Sequence, residues 1–409
     1  MSQRIGKVRA REGQRGMALV AAIMCTVLVL ALGMALVSLS THELKATTEQ
    51  GTNISLRNIA EAGVDSAFRK LGTDPLWRST NAADPAFNNA PVKATVDGVT
   101  KTLGTFTVDP IVEQGGDYVQ VVAHAYYPNA TAADKLAKTV RVTAYKKWSM
   151  PFSAAAFGKS GVPLANGQTD SYNSENGSYG GANVGNKGDI RTDSSDPDSI
   201  DIKTQGECNG KVIYGPGTNL NDVDLDTGRI NDGDGNEAND ILVAPSTATM
   251  PDVQIPAGTT ALQNVSGQSD NILDGGILPA GSYWCDRIDI KGTSQVILAG
   301  KVVLYVKDRI AIGGNGIANF GPPANLQIYG LPTCKQVDIS GNGVLSAAVY
   351  APQADIVLNG SGENGQVFGA LAGNTVSFNG KGTVLHYDEA LQKVKGTVVG
   401  FRTKTWQEG

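Results

Sequence analysis

Met17 to Leu39 carries no charged side chain, and these 23 residues constrain the chain more than any other stretch. As a helix they would extend about 35 Å, enough to cross a hydrocarbon core of roughly 30 Å. The polar members Cys25, Thr26 and Ser38 are small and can return hydrogen bonds to the helix or pack quietly. Ahead of the run stand Arg4, Lys7, Arg9, Arg11 and Arg15 against the single acidic Glu12. That asymmetry keeps the N-terminus in the cytoplasm and sends the rest across. No A-x-A cleavage site closes the run, so an ordinary secretory signal is disfavoured and a membrane-spanning helix is expected.

Helical patterning continues past the membrane through Leu44, Ile54, Leu56, Ile59, Ala60, Val64, Ala67, Phe68 and Leu71. A helix over 17–71 would be about 80 Å long. Ile54, Ile59, Val64 and Phe68 are expected on one face, packed on a domain. Gly33, Gly51 and Gly63 each weaken such a helix by about 1 kcal/mol relative to alanine, marking either bends or a small-residue packing face. Asp74-Pro75 should end it, because a residue before proline avoids the helical region.

The remainder of the 409 residues reads as β structure. Fifty glycines against 6% aromatic residues suit many tight turns, and the length allows two or three domains beyond the anchor. Val92–Val96, Gly104–Val108, Asp117–Tyr126 and Lys138–Tyr145 alternate with period two, which predicts a small antiparallel sheet of about four strands. His124 lies inside one of these runs and reads as structural. Lys146 to Pro151 looks like a boundary.

Beyond it lies an internal repeat. Arg287–Gly292, Arg309–Gly314, Gln336–Gly341, Asp355–Gly360 and Thr375–Gly380 share one shape, their final glycines stepping by 22, 27, 19 and 20 residues. Second strand-like runs lie between them, among them Asn325–Tyr329 and Ala347–Tyr350. Rungs of about 20 residues with glycine corners favour a parallel β-solenoid over the rival β-sandwich. Asp189–Arg191, Ile200–Lys203 and Val212–Tyr214 look like earlier, less regular rungs. Val384–Val394 reads as a last strand and short helix capping the final rung, with His386 part of that cap.

The net charge of −5, without a basic stripe outside the leader, excludes nucleic-acid binding as the leading function. Between Asp222 and Asp240 lie six aspartates and Glu237. Asp232, Asp234, Asn236 and Asp240 occupy the first, third, fifth and ninth positions of a calcium-loop pattern, and calcium is the expected ion if there is one. The EF-hand rule still fails, with Glu237 at the sixth position and Val243 at the twelfth. A solvated acidic loop is the alternative. Gly360–Gly365 fits G-x-G-x-x-G but has no helix after it, so it reads as a solenoid corner. No P-loop, no G-x-S-x-G and only three scattered histidines occur, so no enzyme is expected. Arg287 with Arg309, and Asp289 with Asp338, should stack on one outer face. Of the cysteines, Cys25 lies in the membrane helix. Cys208, Cys285 and Cys334 allow one disulfide, Cys285 with Cys334 being the expected pair.

The junction Gln14-Arg15-Gly16 before the apolar run, joined to Asn58-Ile-Ala-Glu-Ala-Gly-Val-Asp-Ser-Ala67, resembles PilX-type minor pilins and the class III leaders of type IV pilins and pseudopilins. The likeness covers residues 13–71. It implies cleavage after Gly16 by a prepilin peptidase, with Met17 as the first mature residue. Major pilins carry glutamate at the fifth mature position; here that position is Ala21, as in tip-located pseudopilins. Asp170–Gly181 resembles the opening of a glycine-rich domain found downstream of PilX-like helices. The resulting expectation is mainly β with a long N-terminal α-helix. A leader occupies 1–16, a transmembrane and pilin-like helix 17–71, and a small antiparallel domain on that helix 72–150. A parallel β-solenoid follows over 151–395, then a C-terminal tail over 396–409. The implied role is a structural minor pilin or pseudopilin. It would be single-pass in the inner membrane, with its C-terminal domains in the periplasm, or sit at a pilus tip. Its partners would be other pilins and the assembly machinery. A membrane-tethered solenoid that binds cell-wall or extracellular glycan is the alternative, and a polysaccharide lyase a distant third.

Overall fold

A computed structural model describes residues 6–73, 84–114, 116–203, 205–262, 271–341, 344–360 and 365–409, with side chains from Val20 onward except those of Val96, Gln114 and Ala238. Residues 1–5, the Asp74-Pro75 stop and the corner residues 361–364 lie outside the described residues, and Gly16 and Met17 are described by their backbone alone. The chain forms two compact units: Met1–Lys147 with Gly400–Gly409, and Trp148–Val399.

In the first unit one helix runs over Gly6–Thr73, about 100 Å. Every side chain from Val20 to Gly51 is exposed, including Met24, Leu28, Leu36 and Leu44. The hydroxyl of Thr26 lies 3.1 Å from the Ala22 carbonyl, returning a hydrogen bond to its own helix. Val20–Gly72 is long and apolar enough to cross a membrane. Beyond Gly51 the character changes: Leu56, Ile59, Ala60, Val64, Ala67 and Leu71 are buried. Ile54, expected on this face, is 60% exposed. Ile54 lies two residues before Leu56, about 200° of rotation, which puts it on the side of the helix away from the buried face. Phe68 is half-buried and stacks on Phe401 at 5.2 Å.

The buried helix face packs on an antiparallel sheet of Ala90–Val96, Val99–Val108, Val112–Gln114, Tyr118–Tyr127 and Leu136–Trp148. Val119, Val121, Ala123 and Ala125 alternate inward along one strand, as period two requires. On the outer side His124 is held between Thr139 Oγ1 at 2.8 Å and Asp109 Oδ2 at 3.0 Å, a structural placement. The expected tail is instead a strand, Val398–Glu408, paired with Leu136–Trp148. Its β-branched and aromatic residues suit a strand. Glu408 also meets Arg57 at 3.1 Å and Lys138 at 3.0 Å.

The second unit is a parallel solenoid. The repeat pairs in the expected register: Arg287 with Arg309, Arg309 with Gln336, Gln336 with Asp355, and Asp355 with Thr375. Two apolar columns therefore fill the interior, Ile288–Ile310–Val337–Ile356–Val376 and Ile290–Ile312–Ile339–Leu358–Phe378, all buried. The corner glycines stack as well. Gly314 has φ +59°, and a Cβ there would collide with the Gly292 carbonyl. Gly341, at φ +102°, would bring a Cβ to 3.0 Å from the Gly314 nitrogen. These corners need glycine both for conformation and for space.

Stacking does not follow chain order. Gln366–Phe378 pairs with Ala156–Leu164 on its far side, and that strand leads on to Ile190–Thr192 and Ile200–Ile202. The less regular rungs thus extend the C-terminal edge of the repeat rather than preceding its first rung. Val384–Asp388 is correspondingly an interior strand, flanked by Gln366–Gly369 and Gln168–Tyr172, not a cap on the stack. A parallel edge leaves unpaired peptide groups, and the segment that enters this unit covers the edge its last strands would expose. Tyr387 Oη donates to the Phe152 carbonyl at 2.7 Å, satisfying a fully buried phenol.

Gly63 gives a direct test of the helix–sheet contact. A Cβ there would lie 3.0 Å from the Phe106 ring and 3.2 Å from Ala123 Cβ, whereas Gly51 has nothing within 4 Å. Gly63→Val is expected to destabilise the full chain in detergent by about 1–3 kcal/mol, through overpacking. Gly51→Ala should be neutral or gain up to about 1 kcal/mol. Chemical denaturation followed by circular dichroism distinguishes the two.

Candidate functional site

The acidic segment folds into a tight loop between two paired strands, Val212–Tyr214 and Ile241–Val243. It enters after Ile230, which bridges to Cys208, and leaves through a single 3₁₀ turn, Glu237–Asn239. Gly233 and Gly235 have φ of +82° and +73°, reversing the chain twice in three residues. Asp232 Oδ1 accepts from the Asp234 N–H at 2.9 Å, and Asp234 Oδ1 from the Asn236 N–H at 2.6 Å. Ahead of the first strand, Lys211 Nζ lies 3.2 Å from Asp232 Oδ2.

One carboxylate oxygen from each of Asp232, Asp234 and Asp240 lies within 4.8 Å of the other two, the cluster with metal-ligand spacing among the described residues. Asp240 is 3% exposed, and its Oδ1 has no hydrogen-bond partner. Burial, then the charges of Asp232, Asp234 and Glu237, push its carboxyl above the usual range. Asp232 is held below that range, chiefly by the Asp234 N–H and then by Lys211. Asn236, the fourth residue of the expected set, is exposed and gives its backbone N–H to the cluster. Asp226 and Asp222 turn elsewhere, to Arg229 at 3.1 Å and to Asn219 at 2.9 Å.

On the outer face of the repeat, Arg309 spans a rung step to Asp338 at 2.6 Å, and Asp289 pairs with Lys291 at 2.8 Å. Asp289 and Asp338 share a line, with Ala311 between them. His386, expected in a cap, is instead buried in an interior strand, with Nδ1 2.6 Å from Asp170 Oδ1 and its ring between Tyr179 and Phe368.

The expected Cys285–Cys334 disulfide is absent: both thiols are free and buried, as is Cys208. Cys285 stacks in line with Val306 and then Gly330, whose corner holds Cys334. Two rung steps separate the cysteines by roughly 10 Å, beyond the span a disulfide bridges. Burial pushes Cys285 and Cys208 up to about 12 and Cys334 up to about 11.

A tyrosine column went unnoticed in the sequence. Tyr305, Tyr329 and Tyr350 occupy the same register position in successive rungs, with ring centroids 5.5 and 6.1 Å apart. They line a cleft of about 360 Å³ with Gln254, Gln327 and Lys395. Burial pushes all three phenols up, Tyr329 to about 12, so they stay neutral. The signal was present: a tyrosine closes the strand-like runs at 325–329 and 347–350.

A family model described as a domain of unknown function (DUF7305) matches residues 285–394, the regular part of the repeat. No protein of curated function matches. Among solved structures, the DUF3494 domain of Shewanella frigidimarina ice-binding protein 1 aligns at 10% identity and a TM-score of 0.34, covering 60% of this chain and 98% of its own. The competence-associated pilin ComZ of Thermus thermophilus aligns at 11% identity and a TM-score of 0.22, covering 88% and 98%. Likenesses this distant carry no functional argument.

The buried thiols give a chemical prediction. At pH 8 the thiolate fraction of Cys208, Cys285 and Cys334 is negligible, so iodoacetamide should leave all three unlabelled in the folded chain. After denaturation without reductant all three should be alkylated. Peptide mass spectrometry reads both states, and a 285–334 crosslink would appear as a pair of unlabelled sites.

Proposed function

We propose that the chain is a membrane-anchored, pilin-like structural subunit that carries its β-solenoid outside the cytoplasm, rather than an enzyme. The observation that carries this reading is the division of one continuous helix. Its apolar residues from Val20 to Leu44 are all exposed, while Leu56 to Leu71 supplies the core of the first unit. So much exposed apolar surface must be covered by lipid or by like helices. The basic leader favours a cytoplasmic N-terminus. The Gly16–Met17 junction and the segment 58–67 support entry into a pilin pathway, with prepilin peptidase, other pilins and the inner-membrane assembly machinery as partners. Ala21 in place of an acidic fifth mature residue supports a tip-located minor subunit.

A second reading rests on the tyrosine column. A cleft lined by neutral tyrosines and amides suits a glycan, so the solenoid would be a tethered binding module.

N-terminal sequencing and intact mass, from membranes with and without the peptidase, separate the two. A mature chain beginning at Met17 only when the peptidase is present is the expected result. An uncut N-terminus in both backgrounds overturns the pilin reading. For the second reading, glycan-array binding should fall at least about tenfold in Tyr329→Ala, the effect of losing about 1.4 kcal/mol of contact.

A further inference from the structure

We infer that the loop Asn231–Asp240 is a calcium site whose protein ligands are Asp232, Asp234 and Asp240. Calcium binds oxygens at 2.3–2.6 Å, so two oxygens on one ion lie no more than about 5 Å apart. The three carboxylates meet that condition, each within 4.8 Å of the others. Proximity of acids alone would not call for an ion. The second observation is Asp240: it is 3% exposed, and its Oδ1 has neither a donor nor water-facing surface. A buried carboxylate oxygen beside two other carboxylates must be neutralised, by a proton or by a cation. Lys211 compensates that charge only weakly, since its Nζ is engaged with Asp232 Oδ2 at 3.2 Å and its pull on Asp240 is smaller than the repulsion from Asp232, Asp234 and Glu237. Asp234, Asp240 and the neighbouring Glu237 leave the loop with excess negative charge. Oxygen-only donors select a hard cation. A glycine-reversed loop without fixed octahedral geometry suits calcium better than magnesium, which demands such geometry.

The ion would fasten a particular joint. Val212 N–H donates to the Asp240 carbonyl at 2.8 Å, and Asn231 N–H to the Cys208 carbonyl at 2.9 Å. Both ends of the loop are therefore tied to neighbouring strands, and calcium would close the span between them in the less regular part of the solenoid. The inference stands apart from the proposed function: an unprocessed tether and a filament subunit would bind the ion alike.

The test uses the full chain in detergent, stripped with EGTA and titrated with calcium by isothermal calorimetry, with melting recorded in parallel. One saturable site and a calcium-dependent rise in melting temperature are expected. Asp234→Asn and Asp240→Asn should each weaken binding at least about tenfold, the lower end of the loss seen even for outer-shell partners of metal ligands. Asp222→Asn, outside the cluster, should leave binding unchanged. In EGTA the Asp240→Asn chain should melt no lower than the parent, because it loses an unpartnered buried charge. If that variant fails to fold, the exposed Asp234→Asn carries the test. Absence of saturable binding up to about 1 mM, the weak limit for extracellular calcium modules, overturns the site. So does binding that survives in both cluster variants, and equal affinity for magnesium overturns the choice of ion.

Discussion

The second unit depends on residue-for-residue register between parallel rungs. With side-chain period two, a slip of one residue would turn the column of Ile288, Ile310, Val337, Ile356 and Val376 out to solvent. That penalty fixes the ladder, and the ladder in turn fixes its corners. Once the strands superpose, so do the turns, and Gly314 and Gly341 lie too close to the corner below for side chains. A parallel stack has two edges that no rung of the regular repeat can cover. Ala156–Leu164 takes one of them and continues it with shorter strands. The irregularity of residues 189–243 follows from that position, where strands of three residues alternate with 3₁₀ turns.

What the sequence reveals and conceals divides along the range of the interaction. Repeat register was legible because each rung is local, with alternating β-branched residues ending in glycine. The antiparallel strands near residues 92–145 were legible for the same reason. Pairings between distant segments were not. Nothing within Val398–Glu408 announces a partner some 260 residues earlier, and nothing in Gln366–Phe378 announces that its far neighbour is Ala156–Leu164. The cysteine expectation failed on parity: an odd count says how many pairs are allowed but not how many rungs lie between them. Ile54 failed on geometry, because it lies neither three nor four residues from Leu56 but two, about 200° around the helix from the first buried residue.

The candidate site divides in the same way. The one-three-five-nine pattern located Asp232, Asp234 and Asp240, since spacing within a ten-residue loop is local. It could not show that Asp240 is buried while Asp234 is exposed, because that difference comes from the paired strand at Val212. The tyrosine column was hidden by its own regularity. Each tyrosine looked like an ordinary strand residue, and only the ladder brings three of them into one column.

The long helix follows a different physical logic from the solenoid. From Leu56 to Leu71 its apolar residues are committed to the sheet, and Gly63 is sized to Phe106. From Val20 to Gly51 no side chain is buried, so this half contributes nothing to the core of its own unit. Its free energy is set by what surrounds it. Exchange of a lipid environment for a bundle of similar helices would then leave the packed half intact, because the two halves share only the continuous backbone hydrogen-bond ladder. Under the proposed function that separation is the useful property. A subunit of this design can leave a bilayer without unfolding, and whatever the solenoid binds travels with it unchanged.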